Sequence, residues 1–131
     1  MMRVKGLAFA VTCLTAIAWN AWAHHSHNAY EVTFWSNLEG TVREVLLMNP
    51  HSWIYLDITD DIGRTTTWSL EAASPGSIME NGVKREDVAP GDRIAVRCHL
   101  LRDGSNGCLL GFVTPMHGDP ARGDGVELEW D

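Results

Sequence analysis

The chain has 131 residues, of which 10 are basic and 17 acidic, and its formal net charge is −7 with histidine neutral. This length suits one domain with a single modest core. The acidic balance argues against nucleic acid and anionic membrane surfaces as partners, because both carry negative charge themselves. A metal ion or a small ligand is the partner class that the composition leaves open, and no protein partner is indicated.

The first 23 residues are typical of a cleavable secretory signal peptide. A positively charged start precedes an uncharged apolar run over residues 6–18, and Ala21 and Ala23 place small residues where a signal peptidase reads them. The run is shorter than the about 20 residues of a transmembrane helix, although an uncleaved anchor stays open as the alternative. The mature protein is therefore predicted to begin at His24, without a stable membrane anchor, in the periplasm or outside the cell.

Short strand-like segments separated by turn residues predict a small all-β domain. The predicted units are a signal peptide (1–23), a histidine-rich N-terminal arm (24–37), an OB-like β domain (38–116) and an acidic flexible tail (117–131). The predicted strands cover residues 39–48, 52–59, 65–71, 93–101 and 108–114. A short helix is expected between the third and fourth strands, capped by Ser74, with Pro75 in its first turn and Gly82 as its stop. This element order predicts a five-stranded, OB-like, partly open barrel.

Alternation in the second strand separates an aliphatic face from an aromatic face. Ile54 and Leu56 point one way, whereas Trp53 and Tyr55 point the other. Together with Trp68 on the third strand, the two aromatic residues are candidate ligand-binding residues, because OB-folds often bind ligands across strands two and three. Packing beneath the N-terminal arm is the alternative, and it is the commoner role of aromatic residues in a small β domain.

Two cysteines remain after the predicted cleavage, Cys98 and Cys108, and they flank a segment rich in turn-forming residues at 102–107. An even number of cysteines in an exported chain favours a disulfide. If the flanking segments form a hairpin, the two cysteines lie opposite or diagonal to each other. A disulfide that closes so short a loop stabilises by about 2–3 kcal/mol. Two buried free thiols are the alternative.

Histidines at the start of the predicted mature chain are candidate copper ligands. A free α-amine and the Nδ1 atom of His24 can chelate one ion, and His25, His27 or His51 can complete the set. Imidazole suits copper, nickel and zinc, and copper binds most tightly among the divalent ions. The alternatives are that these histidines form a solvated N-terminal segment without a binding role, or that they pack against the domain. No nucleophile motif or phosphate-binding loop is present, so no catalytic residue is assigned, and an enzyme is expected only if the metal supplies the chemistry.

Several segments together resemble a family of small exported bacterial proteins, domain-of-unknown-function family 6152. They are Ala23-His24-His25-Ser26, Glu39-Gly40-Thr41-Val42, residues 49–55, Trp68-Ser69-Leu70-Glu71 with Ser74-Pro75, Pro90-Gly91-Asp92 and Asp103-Gly104-Ser105-Asn106. The resemblance spans nearly all of the mature chain and implies export, one domain and a β-rich fold, but no established activity. It also marks His24, His25 and His51 as positions of the family motifs.

The sequence therefore predicts an exported OB-like domain that binds copper through its N-terminal histidines. The alternatives are a module that binds a small ligand or peptide on an aromatic face and a non-catalytic interaction subunit.

Overall fold

A computed structural model describes residues 27–131 of the chain. The predicted signal peptide, His24 and His25 lie outside the described residues. The described elements are β1 (Ser36–Leu46), β2 (Ser52–Thr59), β3 (Thr65–Ala72), α1 (Pro75–Glu80), β4 (Arg93–Leu100), β5 (Gly107–Pro115) and β6 (Leu128–Glu129), with 3-10 turns at His27–Ala29 and Pro120–Arg122.

The first five strands form a barrel in the order β3-β2-β1-β4-β5, and a parallel pairing of β3 with β5 closes it. The N-terminal half of β1 pairs with β4 and its C-terminal half pairs with β2. Gly40 lies near this change of partner, where a Cβ atom would lie 2.4 Å from the carbonyl oxygen of Asp57. Because a side chain does not fit there, glycine permits the close approach of β1 and β2. The prediction of an OB-like barrel with one short helix between the third and fourth strands is confirmed, and the pairing of β3 with β5 closes the barrel that was predicted to be partly open.

Aliphatic side chains from all five strands fill the barrel. Ile54 and Leu56 are fully buried on β2, while Trp53 and Tyr55 are only half-buried, as the alternation predicted. Other fully buried side chains come from the remaining strands and from α1: Val42, Leu70, Ile78, Ile94, Leu110 and Val113. α1 begins as predicted, because the Ser74 hydroxyl accepts a hydrogen bond from the Ser77 backbone N–H.

A disulfide joins Cys98 on β4 to Cys108 on β5, and both residues are fully buried in the core. Their Cα atoms are 5.8 Å apart, within the range that the bond requires. Cys98 pairs with Leu110 and Cys108 pairs with Leu100, so the two cysteines are diagonal across the hairpin. The disulfide therefore links β4 to β5 inside the barrel. The structure shows this bond and not the alternative of two free thiols.

The C-terminal segment differs from the flexible tail that its acidic composition suggested. Strand β6 pairs with β5, and Trp130 is only 3% exposed. The Trp130 backbone N–H donates to the Gly111 carbonyl oxygen at 2.7 Å, and the Ala73 N–H donates to the Trp130 carbonyl oxygen at 2.8 Å. Burial of one large aromatic side chain and two backbone hydrogen bonds hold residues 128–130 against the barrel.

Candidate functional site

The N-terminal arm packs on the outside of the barrel from residue 27 onward. Tyr30 forms an isolated bridge with Leu101, and the Glu31 N–H donates to the Leu100 carbonyl oxygen at 2.9 Å. Arg102 donates two further hydrogen bonds to the arm, each at 2.9 Å. Its backbone N–H donates to the Ala29 carbonyl oxygen, and its side-chain Nε donates to the Tyr30 carbonyl oxygen. These contacts fix the arm against the end of β4 and the turn that follows it.

Trp35 anchors the end of the arm. Its ring stacks on His99 with 4.0 Å between the ring centroids and meets Phe112 edge-on at 5.5 Å. The ring also occupies the space beside Gly111, where a Cβ atom would lie 2.4 Å from it. A small residue on β5 therefore makes room for the arm.

Glu71 is the buried polar centre beneath this arm. Its neighbours in register are Trp53 on β2 and Leu109 on β5, which places it on the outer face of the barrel. The arm covers this face, so Glu71 is only 8% exposed. The Tyr30 hydroxyl donates to Glu71 Oε2 at 2.5 Å, and His51 Nδ1 is paired with Glu71 Oε1. Both carboxylate oxygens are therefore engaged, as a buried carboxylate requires.

Tyr30 stays a hydrogen-bond donor in this arrangement. Burial raises the pKa of its phenol above the ordinary value, and the hydrogen bond to Glu71 and the charge of that carboxylate raise it further. The phenol therefore keeps the proton that it donates to the Glu71 carboxylate.

His51 precedes β2 directly, and its side chain is 37% exposed. Because Nδ1 is engaged with Glu71, Nε2 is the ring nitrogen left for other contacts. A carboxylate that holds one imidazole nitrogen fixes the tautomer and makes the other nitrogen more basic, and this arrangement is usual for metal-binding histidines. The same pairing suits a histidine that acts as a general base.

A pocket of about 260 Å³ lies beside this pair. Its polar lining residues are His27, His51, Ser74, Ser77 and Asp131, and the remainder are proline, alanine and leucine. No lysine or arginine is among the described lining residues, and Asp131 is the acidic one. The pocket therefore offers imidazole nitrogen, hydroxyl and carboxylate groups, which suit a cation better than an anion.

Two of the four histidines predicted to bind metal line this one pocket, His27 and His51. His24 and His25 lie outside the described residues. Within residues 27–131, no group of three or more histidine, cysteine, aspartate or glutamate residues is arranged to hold a metal ion.

The three aromatic residues predicted to bind a ligand do not lie on one face. Trp53 and Tyr55 are half-buried on the outer face of β2, whereas Trp68 pairs with Leu56 and packs against the core. The proposed groove of three aromatic side chains is therefore split between the two faces of the barrel wall.

Sequence reasoning missed Tyr30, Glu71 and Asp131. Carboxylates at strand ends are usually solvated, so the sequence did not indicate that Glu71 is buried. Its burial depends on Tyr30, which lies 41 positions earlier in the chain. The one local signal was an acidic residue in a strand otherwise made of uncharged side chains.

The fold and site define a small closed β-barrel with a covered carboxylate–histidine pair at the edge of a cation-compatible pocket. The chain belongs to a family of unknown function, DUF6152, whose match covers residues 10–110. No curated protein and no solved structure matches the chain.

Among the described residues, no helix has both the length and the apolar character to cross a membrane.

Proposed function

We propose that this protein is exported and binds one copper ion through the amine and imidazole of His24, with His51 and either His25 or His27 completing the set. Its role would be to hold or deliver the metal. The observation that carries the proposal is the pairing of His51 Nδ1 with the buried carboxylate of Glu71 beside the pocket. This pairing leaves Nε2 as the ligand atom and supplies the outer carboxylate that metal-binding histidines commonly have.

The short length of chain between His24 and His27 supports one metal site shared by the N-terminal histidines and His51. His27 lines the pocket together with His51. His24 is three residues earlier, and three extended residues span at most about 10 Å. Chain length alone therefore limits the distance between the predicted α-amine of the mature chain and His27, which Tyr30 and Arg102 help to hold on the barrel.

The chemistry of the lining residues supports copper among the divalent ions. Imidazole and amine nitrogens bind copper more tightly than they bind nickel or zinc. The disulfide between Cys98 and Cys108 supports export, because such bonds persist mainly in oxidising compartments.

Glu71→Gln tests this function through the residue that holds His51. We expect the mature wild-type protein to bind one tight equivalent of Cu(II) in a titration against a competing chelator. The variant keeps the size of the side chain but removes its charge, and we expect its affinity to fall about 10- to 100-fold.

The matched control is Glu44→Gln, which makes the same chemical change at an exposed position on β1. This control should bind copper like the wild type. Equal affinities in both variants, or a correctly processed wild type that binds copper no more tightly than free histidine does, would contradict the proposal.

A further inference from the structure

A small apolar hollow is lined by residues of α1, the end of β1 and the C-terminal segment. Its buried lining residues are Ile78, Val83 and Trp130, which are 5% exposed or less. Seven of its nine lining residues are apolar, and none of the nine is acidic. The free space inside is about 10 Å³, which holds one group of the size of a water molecule or a methyl. The hollow therefore suits the tip of an aliphatic side chain and is too small for an aromatic ring.

The two remaining lining residues are Lys84 and Arg85, and both are exposed. Within residues 27–131, no carboxylate lies within salt-bridge distance of either cation. Of the six arginines elsewhere in this range, Arg102 donates to the Tyr30 carbonyl oxygen and five pair with carboxylates: Arg43, Arg64, Arg93, Arg97 and Arg122. An acidic chain thus carries an uncommitted positive edge on an apolar hollow, and this edge attracts a carboxylate that lies next to an aliphatic side chain.

The turn between β2 and β3 carries the matching groups. Ile62 is 75% exposed, more than any other large apolar residue within residues 27–131. Asp61 beside it is exposed, and no cation of the described chain pairs with it. The Asp60 carboxylate accepts from the N–H groups of Ile62 and Arg64 at 3.1 and 2.8 Å, which fixes the turn. Because the turn is already ordered, it loses little conformational entropy when it docks.

The hollow and the turn lie at opposite ends of the β2–β3 hairpin. Val45 lines the hollow and pairs with Ile54 near the start of β2, whereas the turn follows Thr59 at the end of β2. The strand from Ile54 to Thr59 is about 17 Å long at about 3.3 Å per residue. The turn of one molecule therefore cannot enter its own hollow, and a contact between the two requires a second molecule.

We propose that this hollow binds the Ile62 turn of a second copy of the chain, with the tip of Ile62 in the hollow and Asp61 beside Lys84 and Arg85. Two different patches meet in such a contact, so it is heterologous and builds chains or closed rings. One turn buries less area than a stable interface does, so the association is weak and depends on concentration. The proposal does not depend on the copper function.

Sedimentation velocity of the processed wild-type protein at increasing concentration tests the proposal. We expect the average mass to rise above that of the monomer between about 0.1 and 1 mM, where weak interfaces assemble. Ile62→Ser should weaken the association about tenfold, because the burial of an aliphatic side chain is lost. The matched control is Val126→Ser, which changes another exposed aliphatic residue outside the hollow and should associate like the wild type.

A double variant tests the positive edge. Lys84→Gln/Arg85→Gln should weaken the association about three- to tenfold, because two exposed cations no longer attract Asp61. The control is Arg43→Gln/Arg93→Gln, which makes the same change in net charge at two exposed arginines that pair with acids and do not line the hollow. This control should associate like the wild type.

A mixture of the variants tests the head-to-tail geometry. Ile62→Ser keeps the hollow and Lys84→Gln/Arg85→Gln keeps the turn, so an equal mixture should form one-to-one pairs more strongly than either variant associates alone. Four results would each overturn the inference. They are a wild type that stays monomeric up to about 1 mM, an association that Ile62→Ser or the Lys84/Arg85 double variant leaves unchanged, an equal loss in a control variant, and a mixture that associates no more strongly than its components.

Discussion

A His51→Ala variant is expected to bind Cu(II) more than about 100-fold more weakly than the wild type. Loss of the outer carboxylate partner of a metal-binding histidine costs about 10- to 100-fold, and loss of the histidine itself removes the ligand as well. Equilibrium titration against a chelator of known affinity measures the difference. The stoichiometry should stay at one, because the His24 amine and imidazole still form a chelate.

His99→Ala is the control for this variant. His99 is a partly buried histidine on the same outer face, where it stacks on Trp35, and it does not line the pocket. We expect it to keep the copper affinity of the wild type. A His51→Ala protein that is folded by circular dichroism and keeps full affinity would remove His51 from the site.

Replacement of both Cys98 and Cys108 by alanine is expected to lower the free energy of unfolding by about 3 kcal/mol. The bond closes a loop between cysteines 10 positions apart, and the loss of this constraint raises the entropy of the unfolded chain. Small cavities left in the core add to the loss. Urea denaturation followed by tryptophan fluorescence measures it as a lower midpoint.

The same double variant separates stability from binding, because neither cysteine lines the pocket. Its copper affinity should equal that of the wild type under conditions where both proteins are folded. A decrease of less than about 1 kcal/mol in the free energy of unfolding would contradict this prediction, because the disulfide would then contribute less than the expected entropy effect.

The strands were predictable where local signals agree. β2 has the predicted bounds because alternating side chains over 52–59 lie between Pro50 and a turn at 60–63. β1 begins at Ser36 rather than residue 39, because pairing with β4 extends it beyond its own local pattern. β6 was missed for a related reason, since only the docking of Trp130 against the barrel gives two residues a strand pairing.

The site was less predictable because pairing and burial between distant segments create it. The histidines were visible as a cluster, but the carboxylate that holds His51 is buried only after the arm folds over β3. The aromatic prediction did not anticipate that Trp68 faces the other side of the wall from Trp53 and Tyr55, because alternation within one strand does not set its register against the next. The pairing of Trp68 with Leu56 turns the indole toward the core.

The central claim is that a free amine on His24 and the imidazole of His51 bind one copper ion. Its most direct test is a Cu(II) titration of the protein purified from the periplasm, with the N-terminal mass determined in the same sample. A chain with one glycine inserted before His24 is titrated beside it. We expect a mass that begins at His24 and one tight equivalent, and we expect the insertion to abolish the tight binding, because it moves the amine away from the imidazole. A correctly cut chain that binds no more tightly than free histidine, or an extended chain that binds equally well, would contradict the account.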